Sequence, residues 1–241
     1  MIDRSIYLTG VKRVLKGGQR FGRLVISPWG HTKFNMLDSI FSESDKLASE
    51  LYQLIDFPLF EESARIVASD VACSMALEHW AAVRRLFSFG LLPSGLVVHR
   101  TQFETLVRSV WLLYAATEGN IEKLSVNLTL ESEQAARNMP QLAEMMCAIE
   151  IKAPPQAYDA LNRFKQNSWK ALNSYAHAGI HPIRRHREGY PIKLIQDATK
   201  NANGLAIICG MQAAVLCGLQ PMQKQVLELA ANYPNCMPPP L

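Results

Sequence analysis

The chain is constrained most by two long apolar segments that are separated by one short breaker. Residues 60–90 and 95–117 each extend over many helical turns, and FGLLPSG, in which glycine and proline interrupt a helix, lies where they meet. The apolar residues are mainly leucine, alanine and methionine, which favour helices, and β-branched runs are few. The sequence therefore predicts a long antiparallel helical hairpin.

Further helices are predicted on both sides of this hairpin. They cover residues 36–56, 120–127, 131–138, 140–150, 155–178, 191–218 and 221–232. Pro155 suits a first helical turn, whereas Gly179 and Pro182 are expected to end that helix before a loop, HPIRRHREGYP. The predicted fold is all-α: an antiparallel helical bundle around a long central helical hairpin.

The charge distribution divides the chain into three parts. Residues 1–34 have a net charge of +6, which leaves −2 for the rest of a chain whose total is +4. We predict a basic, flexible N-terminal extension over 1–34, a single helical-bundle domain over 35–232 and a proline-rich tail over 233–241. The extension is expected either to contact nucleic acid or to be a flexible tail, unless translation begins at Met36.

Several classes of protein are disfavoured by the sequence. The five cysteines are scattered without a CxxC pair, which is typical of buried thiols in a reduced cytoplasmic protein. The apolar segment 205–219 is too short to span a bilayer, and no secretory signal pattern is present. Phosphate-binding glycine loops and nucleophile-elbow glycines are absent. We therefore expect a cytoplasmic protein with no cofactor, no metal and no membrane association.

Charged residues interrupt the apolar hairpin at four-residue spacing. Arg100, Glu104 and Arg108 share one face of the later helix, and Asp70 and Glu78 share one face of the earlier helix. Equal distances from the turn put Glu78 opposite Arg108, with Glu104 within reach of Arg100. Two interpretations stay open. The residues form either an internal ion-pair ladder that fixes helix register or a pocket whose arginines hold an anionic group.

The segment NSYAHAGIHPIRRH, residues 173–186, contains three of the six histidines. His177 falls on the polar side of the preceding helix, so the first interpretation is a solvated helix end where the helix dipole favours cations. A second is a metal site in which His177 and His181 are joined by Glu104 or His99 from another helix. A third is a site for nucleophilic catalysis, which is disfavoured because no serine or cysteine stands in a nucleophile motif.

Two blocks of the sequence, HRTQFETLVRSVWLLYAA and SWKALNSYAHAGIHPIRRHREGYP, resemble an uncharacterised family of helical proteins from proteobacteria. The resemblance covers most of residues 36–220. More distantly, a helical bundle with a polar motif at the end of a late helix is similar to the HEPN group. Many members of that group are metal-independent ribonucleases of toxin or phage-defence type.

The HEPN resemblance implies a reaction and a set of catalytic residues. A histidine would act as base on a 2′-hydroxyl, and an arginine separated from it by about four to six residues would stabilise the phosphate charge at a dimer interface. His177 stands at the histidine, and Lys170 stands at the outer limit of the spacing, where the motif has arginine. The candidate catalytic set is His177, Arg100, Glu104, Lys170, His181 and Arg184.

Two functions are therefore expected from the sequence. The first is a non-catalytic binding or regulatory protein that forms a homo-oligomer. The second is a HEPN-like, metal-independent ribonuclease whose partner is RNA. The sequence leaves open whether the protein is an enzyme.

Overall fold

The computed structural model describes residues 31–239, with side chains from residue 37 onward. Over these residues the chain forms ten α-helices, one short 3-10 turn at 136–138 and no strand, so the predicted all-α class is confirmed. The helices are α1 (His31–Leu54), α2 (Ala64–Ser88), α3 (Leu92–Tyr114), α4 (Glu118–Ser125), α5 (Leu130–Ala135), α6 (Leu142–Lys152), α7 (Pro155–Ala176), α8 (Ile180–Glu188), α9 (Ile192–Leu216) and α10 (Met222–Ala231). Of the predicted N-terminal extension, residues 1–30 lie outside the described residues and residues 31–34 belong to α1.

The predicted central hairpin is formed by α2 and α3. Gly90 takes a φ of 73°, in the left-handed region that favours glycine, and the N–H of Leu91 donates to the carbonyl of Leu86 at 2.8 Å. Gly95, in the first turn of α3, packs against Phe87, because a Cβ at this position would lie 2.5 Å from the phenyl ring. The FGLLPSG segment thus forms a tight turn between two closely packed helices.

Helix α9 lies at the centre of the bundle. It packs against α2 and α3 of the hairpin, and also against α1, α7 and α10. Residues 205–207, 209, 210, 212–214 and 216 of α9 are all buried. The prediction that the 205–219 segment contains a core helix is confirmed by this burial.

Two neutral polar contacts join α9 to the hairpin inside the core. Ser69 and Ser109 exchange hydrogen bonds between hydroxyl and carbonyl groups at 2.9 and 2.8 Å, and Gln212 donates to the Ser69 hydroxyl at 3.1 Å. The amide of Gln102 donates to the carbonyl of Ala202 at 2.9 Å. Buried polar groups need such partners, so these bonds restrict how the helices can slide past one another.

A third polar contact is centred on Asn203, which is fully buried on α9. Its Oδ1 accepts hydrogen bonds from the Ser44 hydroxyl and from the Trp80 indole, each at 2.8 Å. Its Nδ2 donates to the carbonyl of Cys236 at 2.8 Å. One side chain therefore connects α1, α2, α9 and the segment that follows α10.

Helix α2 is the one helix among the described residues that is long and apolar enough to cross a membrane. It packs against α3 and α9, and the core helices of soluble proteins pass the same test. The fold is therefore consistent with a soluble protein.

Candidate functional site

The predicted ion-pair ladder on the hairpin is largely wrong. Arg100 and Glu104 do form an ion pair at 2.9 Å, but Glu78 is exposed, and no ion pair joins it to Arg108 within the described part of the chain. The buried stripe of α2 instead runs through Ser69, Cys73 and Ala76. A residue one position away points about 100° to the side, so the charges lie at the edge of the interface rather than inside it.

Arg100 is held by a second contact, which comes from α7. Its guanidinium lies 4.9 Å from the centroid of the Trp169 ring, a cation–π geometry. No hydrogen bond or ion pair in the described structure joins Arg100 or Glu104 to His177, His181 or Arg184. The hydrogen bonds and ion pairs of the described residues therefore do not connect the six predicted catalytic residues, whose common site stays a prediction.

The other predicted residues lie at the corner between α7 and α8. Helix α7 ends in a Schellman motif, in which the N–H of Gly179 donates to the carbonyl of Ser174 at 2.7 Å. Ala178 takes a φ of 50° in this motif. The Ser174 hydroxyl also accepts a hydrogen bond from the N–H of His181 at 3.2 Å, so this serine links the end of α7 to the start of α8.

His177 is exposed at the C-terminal cap of α7. Lys170, also exposed, precedes it by seven residues, which is about two helical turns, so both side chains project from the same face about 10 Å apart. His181 is exposed on α8, and its ring centroid lies 6.4 Å from that of Tyr175. Two imidazoles and one ammonium group are thus accessible at this corner.

Helix α8 was not predicted: the loop expected over HPIRRHREGYP is wrong, because residues 180–188 are helical. Pro182 is the third residue of α8, where its missing N–H has no intrahelical partner to lose. The spacing of Ile180, Ile183, Arg184 and Arg187 fits one face of a helix and could have revealed it. Sequence reasoning therefore missed Arg187 and both isoleucines as residues of the corner.

The side chains of α8 are directed mainly to solvent, and none of its residues is buried. Arg184 and Arg187 are 61% and 78% exposed, and Ile180 and Ile183 are 64% and 65% exposed. Glu188 contacts both arginines at 2.9 and 3.2 Å, and their hydrogen bonds, chiefly that from Arg184, lower the pKa of its carboxyl group. With three arginines and one glutamate, α8 presents an excess of positive charge.

The chemistry available at the α7–α8 corner is that of an anion-binding surface. Guanidinium groups bind phosphate or carboxylate through paired hydrogen bonds, and exposed imidazoles can accept or donate a proton. Within residues 37–239, no group of three or more histidine, cysteine, aspartate or glutamate side chains is arranged to hold a metal ion.

Comparison with known proteins gives one match. A family model described as a family of unknown function (DUF6988) matches residues 73–239, which is more than half of the chain and includes both α3 and the α7–α8 corner. No curated protein and no solved structure matches the chain.

Proposed function

Since the chain belongs to DUF6988, a family of unknown function, we propose a function from its own surface: it is a binding protein whose α7–α8 corner contacts the phosphate groups of RNA. The observation that carries the proposal is that α8 buries no residue and exposes two of its arginines. A helix that adds so little to the core contributes mainly through what its surface can bind.

The arrangement of charges at the corner supports contacts with several phosphates. Arg184 and Arg187 are one turn apart on α8, and Lys170 and His177 extend the polar surface along α7. Consecutive phosphates of a single strand can follow such a surface, with Ile180 and Ile183 available for apolar contact with the bases.

Replacing both exposed arginines is expected to weaken RNA binding. We expect Arg184→Gln combined with Arg187→Gln to lower the affinity for a fluorescein-labelled single-stranded RNA about tenfold or more, because two charge-assisted contacts are lost. The slope of the logarithm of the binding constant against the logarithm of the salt concentration should also become less steep by about 1.4. This is the change expected for the loss of two phosphate contacts on a single strand. Fluorescence anisotropy at several salt concentrations measures both effects.

The control for this experiment removes the same charge elsewhere. Arg137 and Lys224 are exposed and lie outside α7 and α8. Arg137→Gln combined with Lys224→Gln should leave both the affinity and the salt dependence close to wild type. If both double variants lost the same affinity for RNA, the effect would come from the overall charge of the protein, and a site at the corner would be refuted.

A second candidate function is metal-independent cleavage of RNA at the same corner. The exposure of His177 beside the cations of α8 supports it, because a base that acts on a 2′-hydroxyl must reach the substrate. Incubation of total RNA with the protein in EDTA distinguishes the two candidates. The binding proposal expects intact RNA, whereas cleavage that is lost in His177→Ala would establish the ribonuclease.

We also infer that the protein is a homo-oligomer in solution. Val67, Val71 and Met75 recur at four-residue spacing on α2 and are 39%, 54% and 45% exposed, which gives this helix an apolar stripe that a second copy can cover.

Light scattering after size-exclusion chromatography measures the mass of the particle in solution. The wild type should have a multiple of the 27.0 kDa mass of one chain, whereas Val71→Glu should have the mass of one chain. Leu227→Glu, at an exposed apolar position of α10, is the matched control and should retain the wild-type mass. A wild type of single-chain mass would refute the inference.

A further inference from the structure

A groove of about 390 Å³ lies between α1 and α2, and none of its lining residues belongs to α7 or α8. Helix α1 packs more extensively on α9 and α10 than on α2. Its volume falls in the range of small-molecule sites, about 300–1,000 Å³. Phe41, Ala48 and Ala81 line its apolar part, whereas Arg84 and Arg85 of α2 supply two cationic groups.

Arg84 is fixed in the groove from two sides. Its guanidinium lies 4.8 Å from the centroid of the buried Trp80 ring, and it forms an ion pair with Asp45 of α1. The Arg84 side chain is only 14% exposed, and its Nε has no hydrogen-bond partner in the structure. A guanidinium held in this way needs little reordering to meet a ligand.

Arg85, in contrast, is exposed and forms no ion pair with any described residue. It is the residue next to Arg84 and lines the same groove. Asp45 is the one acidic residue among the lining side chains, so it balances only one of the two arginines. The groove therefore combines an uncompensated guanidinium with an apolar wall.

We propose that this groove binds a small organic anion. Its carboxylate or phosphate group lies on Arg85, with Arg84 as a fixed second contact, and its apolar part lies against Phe41, Ala48 and Ala81. A bidentate contact with a guanidinium suits either anionic group. This site is separate from the α7–α8 corner and does not depend on RNA binding there.

The test uses phenyl phosphate as the probe and the full-length protein labelled with ¹⁵N. We expect titration to shift the indole N–H resonance of Trp80 and the backbone amide resonances of residues 84–88, because Trp80 packs on Arg84. Arg85→Ala should weaken the binding about tenfold or more, since a charge-assisted hydrogen bond is lost. The same titration with benzoate shows whether the groove also binds a ligand whose anionic group is a carboxylate instead of a phosphate.

A matched control tests whether the effect is specific to this groove. Arg137→Ala removes an exposed arginine that lies outside both the groove and α8, and it should leave the affinity for phenyl phosphate unchanged. Benzyl alcohol, which keeps the ring without the charge, should bind wild type and Arg85→Ala equally. Shifts confined to α8, or an Arg85→Ala variant with wild-type affinity, would overturn the proposal without affecting the test of RNA binding.

Discussion

Asn203→Ala is expected to lower the free energy of unfolding by about 4 kcal/mol or more. The substitution removes the partner of three buried groups: the Ser44 hydroxyl, the Trp80 indole N–H and the Cys236 carbonyl. Each buried group left without a partner costs roughly 1–3 kcal/mol, and the cavity adds to this. Whole domains are stable by only about 5–15 kcal/mol, so the effect is large.

Urea unfolding followed by circular dichroism measures this change. Asn201→Ala is the control, because Asn201 lies on the same helix but is only half-buried, with a single long contact of 3.5 Å to Ser168. We expect it to change stability by less than about 0.5 kcal/mol. If Asn203→Ala does not fold, Ser44→Ala, which removes one bond only, should still cost about 1 kcal/mol. Similar stabilities for the Asn203 and Asn201 variants would contradict the role of Asn203.

The second large effect is expected from pH and from His99, which is completely buried on α3. Its Nδ1 lies 3.0 Å from Oε1 of Gln102 and its ring packs edge-on against Phe164. Because the Gln102 amide N–H donates to the carbonyl of Ala202, its Oε1 accepts a hydrogen bond from the Nδ1–H of His99, and Nε2 of His99 is left without a partner. Burial lowers the pKa of His99 from 6.5 to about 4.

The sign of the pH effect follows from which state binds the proton. Below pH 6.5 the unfolded chain protonates this histidine, whereas the folded chain does so only near pH 4. The stability contribution of the neutral ring is therefore complete above pH 6.5 and is lost as the pH falls to about 4. Over this window the loss amounts to about 3 kcal/mol.

His99→Asn tests this effect, because asparagine keeps an N–H near the position of Nδ1 but does not titrate. We expect the free energy of unfolding of wild type to fall more steeply between pH 6.5 and 4 than that of the variant. His186→Asn, at an exposed position of α8, should retain the wild-type slope. Parallel pH profiles for wild type and His99→Asn would show that His99 does not couple stability to pH. Urea unfolding at several pH values provides these data.

The helices that could be predicted are those whose ends are set by residues of the same short segment, such as a glycine or a proline. Gly90 and Pro93 lie close together after a long apolar segment, where they end one helix and begin the next, so the hairpin follows from the sequence. Pro182 misled the prediction because the same residue that breaks a helix interior is tolerated in its first turn. Which of the two applies depends on where the helix begins, and Ser174 helps to set that point through its contact with His181.

The candidate site was predictable only in part. The exposed position of His177 follows from the helical period of α7, which also accounts for the burial of Leu161, Phe164 and Leu172. The pairing of Arg100 with Glu104 and its contact with Trp169 of α7 do not follow from this period, because the period shows which face of a helix a residue lies on but not which helix packs against that face. Likewise, nothing in the local pattern around Arg84 indicates that Asp45 lies opposite it.

The sequence by itself determined the all-α class, the central hairpin and the buried character of α9, because helix propensity, breakers and apolar period are properties of short segments. Only the tertiary structure decided which polar residues enter the core. It buries the neutral groups of Ser69, Gln102 and Asn203 and leaves the charges of Glu78 and Arg108 outside the interface. The physical reason is that a buried neutral group needs one or two partners, whereas a buried charge must be paired almost completely. Several of those partners are residues a hundred or more positions away, where no local pattern can specify them.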